Sequence, residues 1–121
     1  MKPTYSLLKN FTYAMDGGRE LFKEKAFKIE LVCFVIATVI LLFLSYPLWA
    51  KIFMFSILFV PLVAEAFNTA IEKVVDLSSQ DFHILAKHAK DIAAFGVFLS
   101  IFVPIFVWLG FIIYFSTRIL Q

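Results

Sequence analysis

Residues 52–76 read IFMFSILFVPLVAEAFNTAIEKVVD, and the number of membrane crossings turns on this stretch. Its first 13 positions, 52–64, carry no charge, and Glu65 then interrupts the run. A helix needs about 20 residues to cross roughly 30 Å of hydrocarbon, so a crossing here must continue past the carboxylate. The spacing permits it. Glu65, Asn68, Glu72 and Asp76 lie 3, 4 and 4 positions apart. At about 100° per residue they fall within about 80° of one another on one helix face. Ala66, Phe67, Ala70, Ile71, Val74 and Val75 make the opposite face. The stretch reads as one continuous helix with a polar stripe along its second half.

Two further apolar runs flank it. Residues 31–50 hold no charge in 20 positions, and residues 92–115 none in 24. The expected fold is an all-α membrane protein. It has one domain over 1–121, a charged N-terminal segment over 1–29, and membrane helices at about 31–50, 52–76 and 92–115. Composition agrees, with 62% hydrophobic and 17% charged residues and 16 Phe among 121. A soluble domain is nearer half apolar and a quarter charged, so a soluble enzyme, a disordered tail and a disulfide scaffold are poor fits. A net charge of +2 gives no reason to expect nucleic acid as a partner. The single Cys33 lies in an apolar run and leaves no disulfide framework or thiolate metal site. Residues 45–51, with Pro47 flanked by Tyr46 and Trp49, read as an outer turn with interfacial anchors. Pro61 and Pro104 fall inside spans, where kinks are tolerated. Gly96 and Gly110 read as close helix contacts. Phe95, Phe98, Phe102 and Phe106 read as helix packing and lipid contact.

Orientation follows from the cations. Six precede the first span: Lys2, Lys9, Arg19, Lys23, Lys25 and Lys28. Lys73, Lys87 and Lys90 lie between the second and third, against Lys51 and Arg118 on the other side. The excess of positive charge places the N-terminus in the cytoplasm. Residues 1–29 have no apolar core with a cleavage site, so they do not read as a signal peptide. Tyr13, Leu21, Phe22 and Phe27 interleave with Lys23, Lys25 and Lys28, which suits an amphipathic helix on the membrane surface.

With a span beginning near Lys51, the cytoplasmic boundary falls near Ile71. Glu65 then lies about six residues, or roughly 9 Å, inside. A carboxylate at that depth is expensive unless partnered, and reads as functional by default. A membrane carboxylate suits a general base acting on a lipid hydroxyl. A second at the water edge, with Glu24 and Asp91 in the same compartment, suits Mg²⁺, which takes a few carboxylates plus phosphate oxygens. With Lys90 or Lys9 as the cation, these are the parts of phosphoryl transfer from a nucleotide. The chain contains neither Gly-x-x-x-x-Gly-Lys-Ser/Thr nor Gly-x-Gly-x-x-Gly, so side chains and metal must hold the nucleotide.

The stripe resembles the signature of the small bacterial membrane lipid kinases, the prokaryotic diacylglycerol kinase and undecaprenol kinase family: Glu-x-aliphatic-Asn-Ser/Thr-small-aliphatic-Glu-x-x-Val-Asp. Every position matches except Phe67, where an aliphatic residue is usual. Glu24-Lys25-Ala26-Phe27-Lys28-Ile29-Glu30 is similar to the family's stretch before its first span, and Ala89-Lys90-Asp91 to the entry into its third. The resemblance implies Glu65 as catalytic base, Glu24 and Glu72 as carboxylates for the divalent metal on ATP, and Asn68 beside the base in the lipid site. It implies Asp81, Phe82, His83, Lys90 and Asp91 along the nucleotide, and Glu30 in the lipid-binding part. Tyr13 and Lys9 match a Tyr and a basic residue near the nucleotide. It also implies a homotrimer in the bacterial inner membrane, with active sites shared between subunits. The bland readings are that Lys90 is an interfacial anchor, that Glu24 and Glu30 pair with Lys25 or Lys28, and that His88 is solvated.

The expected activity is ATP-dependent phosphorylation of a membrane lipid alcohol, with diacylglycerol favoured over undecaprenol by the 24–30 segment. From a different class, a small proton-coupled multidrug exporter also depends on one membrane carboxylate, but it calls for four spans and no acidic row beyond the membrane edge. A non-catalytic membrane subunit is a more distant alternative.

Overall fold

The computed structural model describes residues 6–78 and 81–119. Lys2 of the cation count and the rest of residues 1–5 lie outside the described residues. Five helices follow in order: α1 (Leu7–Leu21), α2 (Lys25–Phe43), α3 (Leu48–Ser56), α4 (Phe59–Ser78) and α5 (Ile84–Ile119). The segments Lys25–Phe43, Leu48–Ser78 and Ile84–Arg118 are long and apolar enough to cross a membrane, with mean hydropathy 2.4, 1.9 and 2.5.

α1 is amphipathic, with Leu7, Leu8, Phe11 and Met15 sharing one face at helical spacing. It buries none of its side chains within the chain, so that apolar face is free to meet a membrane surface. It unwinds over residues 22–24, where Lys23 N–H and Glu24 N–H bond carbonyls three residues back at 3.0 Å. Lys23 also reaches Glu20 at 2.5 Å, and this cation holds the Glu20 carboxyl below the usual carboxylate range.

α2 begins at Lys25, six residues before the apolar run, and ends at Phe43, well before residue 50. The early start costs little, because long cationic side chains at a helix end extend toward water. Pro47 disfavours a helical conformation at Tyr46, so α2 does not run through to residue 50. Leu44 is already extended. The outer turn is therefore shorter than residues 45–51. Trp49 and Lys51 belong to α3, where Lys51 Nζ donates to the Leu42 carbonyl at the end of α2 at 3.1 Å, a favourable place for a cation.

The second span is broken between α3 and α4. Pro61 has no N–H to offer Ile57, and the Ile57 carbonyl accepts from Val60 N–H at 3.1 Å instead. α5, by contrast, runs through Pro104 as a helix of 36 residues. It packs chiefly along α4, while α2 lies against α4 and α3. Trp108 Nε1 donates to the Met54 carbonyl at 3.2 Å, tying α5 to α3. Phe95, Phe98, Phe102 and Phe106 contact one another in sequence down α5, with centroids 5.1–6.0 Å apart. Gly96 and Gly110 do not mark close contacts within the chain: a Cβ at either would meet nothing within 4 Å.

Burial is inverted relative to a water-soluble domain. Among the described residues the buried hydrophobic side chains are Phe27, Leu41, Ala50 and Met54, while Glu65, Asn68 and Thr69 are buried polar ones. An apolar exterior around a partly polar interior is stable in lipid, where helices gain little from burying hydrophobic side chains against one another.

Candidate functional site

The site is built on α4. Glu65 is 4% exposed and Asn68 8%, Glu72 is half-buried, and Asp76 is exposed. Over these twelve positions, about 16 Å of helix, the stripe passes from the interior to the charged end of the bundle. Thr69, beside Asn68 and 7% exposed, is buried with it. The opposite face carries Phe67 and Val74, which are 68% and 63% exposed. α4 thus turns Glu65, Asn68 and Thr69 inward and Phe67 and Val74 outward.

Asn68 Nδ2 donates to Glu72 Oε1 at 3.1 Å, one helical turn away. This bond holds the Glu72 carboxylate and fixes the amide orientation. Asn68 Oδ1 and Glu30 Oε2 are buried without hydrogen-bond partners. Glu65 lies within electrostatic range of Glu24, Glu30 and Glu72, so α2, its preceding turn and α4 each bring a carboxylate into the neighbourhood of Glu65. Such a concentration of negative charge attracts a cation.

Ion pairs tie the surrounding elements to this cluster. Lys73 Nζ lies 2.9 Å from Glu24 Oε1, joining α4 to the turn before α2. Lys90 Nζ lies 2.5 Å from Asp76 Oδ1, joining α5 to the outer end of the stripe. Lys87 pairs with Asp91 at 2.6 Å within α5. Glu24 therefore pairs with neither Lys25 nor Lys28. Neither Lys73 pairing with Glu24 nor Lys90 pairing with Asp76 has a local sequence signal, since the partners are 49 and 14 residues apart.

The remaining expected residues are placed as follows. Glu24 precedes α2 and Glu30 lies in its second turn. Asp81, Phe82 and His83 lead into α5; all are exposed, Phe82 at 83%. His83 Nδ1 accepts from Leu85 N–H at 3.2 Å, so the imidazole caps the start of α5. His88 is exposed. Lys9 and Tyr13 lie on α1, also exposed, and the chain itself does not draw them onto the stripe.

Among the described residues no three His, Cys, Asp or Glu side chains converge as a ready metal cage. Glu24 and Glu72 are hard oxygen donors with no thiol or imidazole beside them. That suits a magnesium ion held by two carboxylates and completed by phosphate oxygens and water.

A cavity of about 400 Å³ opens between α2, α4 and α5. Glu30, Cys33, Phe34, Pro61, Pro104 and Trp108 are among the residues lining it. Its walls are apolar, and the Glu30 carboxyl is the charged group in them.

Comparison with known proteins agrees in direction. The family model for prokaryotic diacylglycerol kinase matches residues 12–112. A diacylglycerol kinase of Escherichia coli strain K12 is 30% identical over 103 residues, 84% of each chain. One from Haemophilus influenzae is 32% identical over 111 residues, 89% of this chain and 92% of the relative. One from a Sinorhizobium species is 35% identical over 86 residues, 70% of this chain, and the match spans 62% of that relative's length.

Proposed function

The chain belongs to the prokaryotic diacylglycerol kinase family, and on that premise we propose that it moves the γ-phosphoryl group of ATP to the free hydroxyl of diacylglycerol at the α4 stripe. It is a membrane-bound lipid kinase. The observation that carries the site assignment is the burial gradient along one helix face, from Glu65 at 4% exposure to an exposed Asp76. Such a gradient lets a lipid alcohol be approached from the membrane while a nucleotide remains in water.

In this reading Glu65 accepts the hydroxyl proton as the lipid oxygen attacks the γ-phosphorus, and ADP departs with the displaced oxygen. The Glu65 carboxylate is shielded from bulk water, so its proton acceptance is directed at the bound alcohol. Asn68 holds Glu72 through the 3.1 Å bond. Glu72 and Glu24 are the residues that would hold Mg²⁺, and such an ion supplies charge neutralisation on the phosphate oxygens. Lys90, Asp91 and the 81–83 segment line the nucleotide side, with Lys9 and Tyr13 approaching from α1. The cavity beside Glu30 accommodates an acyl chain, with the carboxyl available to a glycerol hydroxyl. The whole chain is one kinase domain in the inner membrane with its N-terminus in the cytoplasm. It assembles as a homotrimer, and a neighbouring copy completes the cover over the stripe. A proton-coupled exporter is disfavoured by family membership and by the three span-length helices among the described residues, where that class calls for four.

The test is direct. Purified protein in mixed micelles receives labelled ATP, Mg²⁺ and either diacylglycerol or a polyprenol. Labelled phosphatidic acid is the expected product. Transfer only to the polyprenol overturns the substrate assignment, and transfer to neither overturns the reading.

A further inference from the structure

Lys73 is the cation paired with Glu24, one of the two proposed metal carboxylates, yet the motif that marks the stripe leaves its position open. Its Nζ lies 2.9 Å from Glu24 Oε1. Its backbone directly follows Glu72, and both Glu72 and Glu20 lie within its electrostatic range. Lys90, the cation expected from sequence, is instead held by Asp76 one turn further along α4. Lys9 is on α1 and exposed.

A divalent ion taking Glu24 would remove the attraction that holds the Lys73 ammonium. Both side chains of the pair keep solvent contact, at 55% and 37% exposure, and an ion pair so placed is readily exchanged. Phosphate oxygens completing the coordination of an ion on Glu24 and Glu72 would arrive beside that released ammonium. A lysine with three donors on a flexible stem suits a point contact with phosphate.

Resting on the kinase reading above, we infer that Lys73 binds the phosphates of ATP and that its pair with Glu24 holds it ready in the nucleotide-free protein. The whole assembled protein is titrated calorimetrically with a non-hydrolysable ATP analogue plus Mg²⁺, and separately with AMP. Wild type is compared with Lys73→Met and Lys73→Arg. Lys28→Met, an exposed α2 lysine outside the site, controls for general loss of charge. Lys73→Met weakens the triphosphate analogue about tenfold or more, leaves AMP unchanged, and is largely rescued by Lys73→Arg.

Unchanged analogue affinity with a lowered thermal midpoint makes Lys73 a structural tie and overturns the inference. Unchanged analogue affinity with tighter Mn²⁺ binding, read by electron paramagnetic resonance, makes it a mere counterion and also overturns it. In both cases wild type still binds nucleotide and the kinase reading stands. If wild type itself binds no Mg²⁺–analogue, the kinase reading falls as well.

Discussion

Replacing Glu65 by Gln removes one negative charge from the interior of α4 while keeping side-chain volume. Glu65 is 4% exposed, so bulk water has little access to stand in as proton acceptor. The other carboxylates within range, Glu24, Glu30 and Glu72, occupy different positions around the cluster and cannot substitute without rebuilding it. A positioned general base contributes about 100- to 10,000-fold, or about 3–5 kcal/mol of barrier. Because solvent cannot rescue the reaction, Glu65→Gln is expected at the upper end of that range. Removing one of several mutually repelling carboxylates relieves strain, so the variant is expected to be at least as heat-resistant as wild type. The assay is initial-rate phosphorylation of diacylglycerol at saturating Mg²⁺–ATP, with size-exclusion chromatography and thermal unfolding as controls. An intact, correctly assembled Glu65→Gln protein within tenfold of wild-type turnover would refute the assignment of Glu65 as base.

Other expectations follow from the same geometry. Glu72→Gln and Glu24→Gln raise the KM for Mg²⁺–ATP more than they lower kcat, and excess Mg²⁺ partly restores them; a pure kcat loss at unchanged KM contradicts the metal assignment. Asn68→Leu removes a hydrogen bond to a carboxylate worth about 1.5–3 kcal/mol. It is expected to resemble Glu72→Gln in its metal dependence, and a wild-type magnesium titration would show that Asn68 does not position Glu72. Trp108→Phe loses the bond to the Met54 carbonyl and lowers stability by about 1 kcal/mol, measured by thermal unfolding in detergent; no loss means the α3–α5 tie is dispensable. Asp76→Asn breaks an exposed pair worth about 0–1 kcal/mol, so its thermal midpoint hardly moves.

The helical, three-span character was legible because its signals are local. The 3-4-4 spacing of Glu65, Asn68, Glu72 and Asp76 survives as a row whose burial falls along α4. Span ends were less legible. Charges at Lys25, Lys28 and Glu30 read as the limit of the first membrane segment, yet they occupy the opening turns of α2, because a helix does not stop where hydrocarbon does. Pro47 was read correctly as a breaker, but the chain leaves the helix already at Leu44, where no breaker stands in the sequence. Pro61 and Pro104 look alike in sequence; the first divides α3 from α4 and the second sits inside an unbroken α5. The ion pair between Glu24 and Lys73 lay beyond reach, since opposite charges so far apart have many possible partners until the helices are placed. Gly96 and Gly110 make no close contact within the chain, because small residues permit close approach without requiring it.

α5 has one further consequence. Its 36 residues extend about 54 Å, well beyond roughly 30 Å of hydrocarbon. The excess carries Lys87, Lys90 and Asp91 beyond the apolar run on the same continuous rod. A thinner bilayer tilts such a rod, and its tilt moves Lys90 relative to Asp76 on α4. Turnover should therefore change with acyl-chain length in the host membrane even when the lipid substrate is held constant, making membrane thickness itself a control on the enzyme.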